Sequence, residues 1–530
     1  MSLTRLRKFL AAVAMAIGVG AHPAGAATLR IASAFDPQTM DPHSLVLLYH
    51  TRIAFSIYEG LVGHDEQYRL APALATDWKQ LDPLTWRFHL RPDVRFHDGA
   101  SFSADDAVFS IERALAEPSQ RAFLLKGVKA ARKVDPLTLD LALSEPDAVL
   151  PEKLVLVAMM NKAWCVAHGV EHAQDFNARQ ETYAVRHANG TGPYRLEVYE
   201  PDTRTVLKAH AQWWGRDDKR NGNVDQASFL TIRSDATQLA ALHSDEVDLV
   251  LDPPYQDVDN LRQDPSLAIS QIGDLGTQYL AFDLLHDALP GVAPGPDGPR
   301  NPFKDLRVRR AVYHAINVDL IIQKVLRGLG TPTGALLPPA VEGNPPELQT
   351  RLRYDPVLAR NLLAQAGYPD GFDVTLECVN VPYREHVCQA AAAMLTQVGI
   401  RTHLHTQPGT QFFSLITQGN IGFAEFGWTA SADAWQSLNG LLHTWDKNGG
   451  GTFNGGRYSN PALDKLIDAI RVEPDPLRRR TMTGQALRIA ADDLPYVPLY
   501  RRTLSWAMHK RVKVVMWPDD VINLRWASVQ

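Results

Sequence analysis

Between residues 355 and 406 the chain twice commits to a helix followed by a strand, and that alternation limits the fold more than any other feature. Asp355-Pro356 reads as the N-cap and first-turn proline of a helix whose inner face carries Ala359, Leu362, Leu363 and Ala366, with Gly367 closing it. After the turn Tyr368-Pro369-Asp370-Gly371, the residues Phe372, Val374, Leu376 and Cys378 alternate as a strand. An Ala-rich helix then runs from about Glu385 to Val398, stops at Gly399, and Ile400, Thr402, Leu404 and Thr406 alternate again. Two strands joined through a helix pair in parallel, and parallel sheets need cover on both faces, so an α/β fold is expected.

Other segments repeat these signals. Thr85–Leu90 reads as a strand, followed by a turn, a short strand over Val94–Phe96, and a helix that Ser103 and Asp106 open with a capping box. Ser459-Asn460-Pro461 opens a further helix with Leu463, Leu466, Ile467 and Ile470 on its buried face. At 530 residues the chain holds two to four domains, on a prior of roughly 100–200 residues each. With 45% hydrophobic and 21% charged residues and a net charge of −5, neither disorder nor a polyanion-binding surface is indicated, and no nucleic-acid partner is expected.

The N-terminus carries its own signal. Arg5, Arg7 and Lys8 precede the apolar run Phe9–Ala21, and Ala24-Gly25-Ala26 supplies small residues for a cleavage site, so residues 1–26 read as a secretory signal peptide. The run is too short for a bilayer core of roughly 30 Å. Its removal takes three basic residues and no acidic one, leaving an acidic, exported chain of net charge −8.

Catalytic and metal signals are sparse. His168-Gly169-Val170-Glu171-His172 has the H-x-x-E-H spacing of a zinc site, which would make the chain a secreted metallohydrolase, but Gly169 weakens the helix such ligands need. His403 and His405 share one side of a strand, where a solvated face is the simpler reading. Phosphate-loop, dinucleotide and G-x-S-x-G signatures are lacking, so no catalytic residue, metal or cofactor is expected. Cys165, Cys378 and Cys388 form at most one pair; Cys378 and Cys388 would bridge only with Cα atoms within about 7 Å, and an unbridged pair is the expectation. Phe423, Phe426, Trp428, Trp435 and Trp445 crowd into 23 residues with polar interruptions, the composition of a small-ligand pocket.

Several motifs resemble one family. Leu90-Arg91-Pro92-Asp93-Val94-Arg95-Phe96-His97-Asp98-Gly99 followed by Phe102–Val108 resembles the signature of the bacterial extracellular solute-binding proteins of family 5, the peptide- and nickel-binding components of ABC importers. Thr191-Gly192-Pro193-Tyr194, Ala240–Asp248, Pro302–Arg309, Tyr354-Asp355-Pro356, Ala366–Phe372, Tyr458–Pro461 and Leu494–Tyr500 follow in the family's order. The resemblance implies a two-lobed periplasmic-binding-protein fold of type II with an inserted domain. Lobe I would take residues 27–65, 190–280 and 496–530, the inserted domain II residues 66–189, and lobe II residues 281–495, with crossings near Tyr279–Phe282 and Pro495–Tyr500.

The resemblance also implies the function. The chain would be a monomer that captures peptides or peptide-like solutes between its lobes and delivers them to membrane permease subunits; a nickel chelate or haem is the alternative ligand. Trp428, Thr429, Ser431, Asp433, Trp435, Tyr383, Asp36, Gly276 and Thr277 would line the site. In peptide-binding relatives an Asp three residues after the Trp pairs with the ligand's ammonium; here Ser431 stands there, and Asp433 is the nearest carboxylate. Where dipeptide binders hold the ligand's C-terminus with Arg-Pro-Tyr, this chain has Val381-Pro382-Tyr383 with Arg384 beside it.

Overall fold

The computed structural model describes residues 27–294, 298, 300–430, 433–447 and 449–530; the expected signal peptide and Ser431 lie outside them. One large mixed sheet runs through the molecule. Its strands are β1 (Thr28–Ser33), β2 (Tyr194–Glu200), β3 (Arg204–Ala209), β4 (Gln226–Thr231), β5 (Leu249–Leu251), β6 (Leu267–Phe282), β7 (Phe372–Val379), β8 (Ile400–Gln407), β9 (Phe423–Thr429) and β10 (Tyr496–His509). They lie in the order β8-β7-β9-β6-β10-β5-β1-β4-β3-β2, and Gly330–Pro332 joins β10 as an eleventh strand.

The two longest strands, β6 and β10, pair antiparallel along almost their whole length and belong to both halves of the sheet. Their register breaks between Gly273 and Thr277, opposite Thr503 and Arg501, and shifts again between Gln278 and Tyr279. On β6 the break at Gly273–Thr277 lies a few residues before the crossing suggested near Tyr279–Phe282, and on β10 just after the one near Pro495–Tyr500. On one side Leu29, Ile31, Phe229, Leu249 and Trp506 form the core of the first lobe. On the other, Phe282, Phe303, Val312, Leu376 and Leu395 cover one face of the second lobe's sheet, and Tyr279, Phe412, Leu438 and Ile467 cover the other.

The helix–strand alternation of residues 355–406 folds as anticipated. Asp355 accepts a hydrogen bond from Leu358 N, Pro356–Gln365 is helical, and Gly367 ends the turn at φ +89°. β7 and β8 are parallel from Phe372↔Ile400 to Val379↔Gln407. The connecting helix starts earlier than its Ala-rich body suggests, at Pro382, because proline is tolerated where no intrahelical N–H is required. The expectation of unbridged cysteines is corrected: Cys378, at the end of β7, and Cys388, in this helix, form a disulfide with Cα atoms 6.6 Å apart. Alternation sets which face Cys378 takes; the extra helical turn, hard to read before the fold is known, brings Cys388 over it.

A small domain rests against the first lobe. Ala75–Asp82, Thr85–Leu90, Thr138–Leu143 and Val128–Asp135 form a four-stranded antiparallel sheet, covered by the helix Ala104–Leu115 with the capping box read from Ser103 and Asp106. The strand expected at Val94–Phe96 is reduced to one bridge between Arg95 and Ser101. The small domain is tied to the first lobe by an ion pair: Arg113 meets Asp41 at 2.6 Å, both side chains fully buried. Despite its burial, Asp41 is held at a pKa of about 2 by the guanidinium and by N–H groups of His43 and Gln174. Arg113 also donates to the carbonyls of Val170 and His172.

Two stability outcomes are expected. Asp41→Asn leaves Arg113 buried without its counter-charge and should cost about 3–5 kcal/mol in urea unfolding. The pair Cys378→Ala and Cys388→Ala should cost about 2–3 kcal/mol, a loss matched by adding reductant to the parent protein.

Candidate functional site

The directions of the strands locate the crevice. β1 is parallel to β4 and β5; β5 is antiparallel to β10, and β10 to β6. All the parallel strands of the first lobe therefore point toward the Gly273–Thr277 break. β9 runs against β6 and ends there, with Thr429 opposite Gly276, and β7 is parallel to β9. The carboxyl ends of both sets of strands thus face each other across the break, where open α/β sheets bind ligands.

The lobes touch on both flanks of this crevice. Near the long strands, Tyr255 of the first lobe packs against Tyr383 with ring centroids 5.8 Å apart. Arg502 pairs with Asp274 at 2.6 Å and lies over the same Tyr383 ring. On the small-domain flank, Arg471 pairs with Glu145 at 2.8 Å, its carbonyl accepts from Ala148 N, and Lys153 sits 4.8 Å from the centre of the Trp435 ring.

Most of the residues singled out in the sequence converge here. Gly276 and Thr277 form the break, paired with Thr429 and Trp428; a Cβ on Gly276 would come within 3.0 Å of Asp274 Oδ2. The Trp428 indole N–H donates to Ser437 Oγ, and its ring packs on Phe453. Trp435 lies between Lys153 and Arg471. Asp433 opens the helix Trp435–Leu441, where its Oδ1 accepts from Trp435 N at 2.7 Å and its Oδ2 lies 3.7 Å from Arg479. Burial pushes its carboxyl up to a pKa of about 6. Tyr383 stands apart from this group, on the opposite flank.

Asp36 belongs to the first lobe's wall. Its carboxylate accepts from Tyr199 Oη, Asp202 N and Gln38 N, so it holds in shape the loop carrying Phe35, which is 61% exposed and stacked on Tyr49. Arg384, the cation nearest Tyr383 in sequence, points into the second lobe and pairs with the fully buried Glu425 at 2.6 Å. Among the described residues the one Cys/His/Asp/Glu group tight enough for a metal is Cys378, Cys388 and Glu425, whose two sulfurs are joined in the disulfide and whose carboxylate is paired through Oε2 with Arg384.

The H-x-x-E-H segment has no ligating geometry. The helix Lys162–Ala167 ends before it, Gly169 has φ +64°, and the His168 ring stacks on Tyr183. His403 and His405 lie on the exposed strand face, beside Asp373 and Glu377.

Sequence patterns missed a cavity of about 170 Å³ beside Asp433, at the junction of both lobes and the small domain. Glu59 accepts from the indole N–H groups of Trp213 and Trp214, at 3.2 and 3.1 Å, and burial pushes it up to a pKa of about 7. His64 Nε2 lies 3.1 Å from Glu152. The segment Trp517–Asp519 closes one side, joined to the break by Leu275 N donating to Pro518 O. Its residues come from seven separate stretches of chain; the doublet Trp213-Trp214 is the one local sign of it.

Comparison with known proteins fits this geometry. The chain matches the family description "Bacterial extracellular solute-binding proteins, family 5 Middle" over residues 69–449. It is 26% identical over 519 residues to the glutathione-binding protein GsiB of Salmonella typhi, covering 95% of each chain. Heme-binding protein A of Haemophilus influenzae is 26% identical over 471 residues, covering 84% of this chain and 81% of that one. The periplasmic binding protein DppA of Helicobacter pylori, solved with the peptide STSA, superposes with a TM-score of 0.74 at 24% identity, covering 94% and 98%. With the family match spanning most of its length and a crevice between the carboxyl ends of two sets of strands, the chain belongs to the family 5 bacterial extracellular solute-binding proteins.

Proposed function

We propose that this protein captures a peptide or peptide-like solute in the crevice at Gly273–Thr277, and that in the periplasm it presents the closed, loaded form to the permease subunits of an ABC importer. The observation that carries the ligand reading is Asp433. It is a carboxylate set at the crevice beside Trp428 and Trp435, in a setting desolvated enough to raise its pKa, where an ammonium group would offset the burial. The relatives named for glutathione and solved with STSA bind ligands of this chemistry. Closure fits the role, because a ligand bridging two lobes shifts them toward the shut state.

Asp433→Asn separates the parts of this reading. It should weaken binding of a peptide with a free amine at least tenfold while leaving its N-acetylated counterpart within about twofold, a charge-assisted hydrogen bond being worth about 1.5–3 kcal/mol. Titration calorimetry checks it, and equal losses for both peptides would remove Asp433 from the ammonium site.

Ligand-free stability tests the same group. The folded pKa of about 6 lies above the ordinary carboxylate value, so folding favours the protonated form, and Asp433's contribution is lost as pH rises through 6. The melting temperature of Asp433→Asn relative to the parent should therefore climb between pH 4.5 and 7.5, by an amount worth at most about 3 kcal/mol. A difference that stays flat with pH would show that the group is not buried as described.

A further inference from the structure

The cavity at the junction of the three domains holds about 170 Å³, close to the roughly 150 Å³ that accommodates a benzene-sized group. That is room for one side chain of a captured solute, not for a whole peptide. Its walls combine the aromatic rings of Phe55, Tyr68, Trp214 and Trp517 with four carboxyl groups, Glu59, Glu152, Asp433 and Asp519.

The basic groups on the same wall already have acidic partners, two of them outside the cavity. Lys153 pairs with Asp147 at 2.6 Å, Arg525 with Asp218 at 2.8 Å, and His64 with Glu152. Glu59 accepts from the two indoles and Asp519 from Val521 N and the Tyr68 side chain; Arg525 and His64 act on them only from beyond ion-pair distance, being paired with Asp218 and Glu152. Trp517, in the wall and only 8% exposed, has an indole N–H without an acceptor among the described residues. Aromatic faces and surplus carboxylates together favour an organic cation, attracted both by the ring faces and by the acids. The unanswered indole N–H would further suit a solute that carries an acceptor near that cation.

Resting on the peptide-capture reading, we propose that this cavity is a side-chain pocket selective for a protonated amine or guanidinium on a short apolar stem, so that the preferred solute carries a basic residue. Such a group leaves water, meets the ring faces along its stem, and gains Glu59 and Asp519 as counter-charges.

The experiment is calorimetric titration at pH 7.5 of Ala-Lys-Ala, Ala-Arg-Ala and the uncharged Ala-norleucine-Ala against the parent protein, Glu59→Gln and Asp519→Asn. The parent should prefer the Lys or Arg peptide at least tenfold over norleucine. Each variant should cut that preference severalfold while leaving norleucine binding within about twofold. Equal binding of the basic and norleucine peptides by the parent overturns the proposal and leaves peptide capture standing, as does a preference that survives in both variants. Should the variants fail to fold, the parent's preference decides. If no peptide binds, peptide capture itself fails, and benzylamine against benzyl alcohol tests the cavity alone: tighter binding of the amine upholds its cation selectivity, and equal or absent binding overturns it.

Discussion

The antiparallel pairing of β6 with β10 is the constraint on which the rest of this molecule depends. Among the described residues, two strands of 16 and 14 residues are the only sheet elements shared by both lobes, and each half of their ladder is the foundation of one lobe's core. A continuous ladder would weld the lobes into one slab. The irregular stretch that opens at Gly273–Thr277 and ends at Tyr279 leaves a place where the backbone can flex without exposing either core. Because the neighbouring parallel strands all end at that place, the point of flexure and the crevice coincide.

How much of this can be read from sequence differs by residue. The strand and helix pattern from Asp355 to Thr406 is legible because caps, prolines and alternation are local and agree with one another. Gly276, Thr277, Trp428 and Asp433 could be named only from the family resemblance, which orders the chain along a known architecture, and it is the strand pairing that sets the first three at the break. The cavity lined by Glu59, Trp214 and Asp519 is not, since proximity between residues hundreds of positions apart leaves no local trace. Arg384 shows the converse difficulty: its sequence position beside Tyr383 suggests the crevice, and only the placement of Glu425 on β9 reveals that the guanidinium points into the second lobe. Cys378 and Cys388 depended on where one helix begins.

Charge is distributed in two ways. Where it holds the fold together, it is paired within hydrogen-bond distance and buried: Arg113 with Asp41, Arg384 with Glu425. Where domains meet around the crevice, carboxyl groups are buried with fewer cations than they need, and Glu59, Asp433 and Asp519 all hold their protons to higher pH than usual. Desolvation without full compensation costs stability, and proteins keep it where a partner restores the balance.

The buried contact between Arg113 and Asp41 also decides what kind of mechanical object this is. With the small domain locked to the first lobe, the three domains reduce to two jaws with one hinge, one of them extended by the small domain. The clasp of Arg471 on Glu145 then joins the second jaw to that extension, beside the contact of Lys153 with Trp435. Glu145 is half exposed there, so that grip is screened by dissolved salt while the buried Arg113–Asp41 pair is not. Added salt therefore weakens a contact between the jaws while leaving intact the pair that builds one of them.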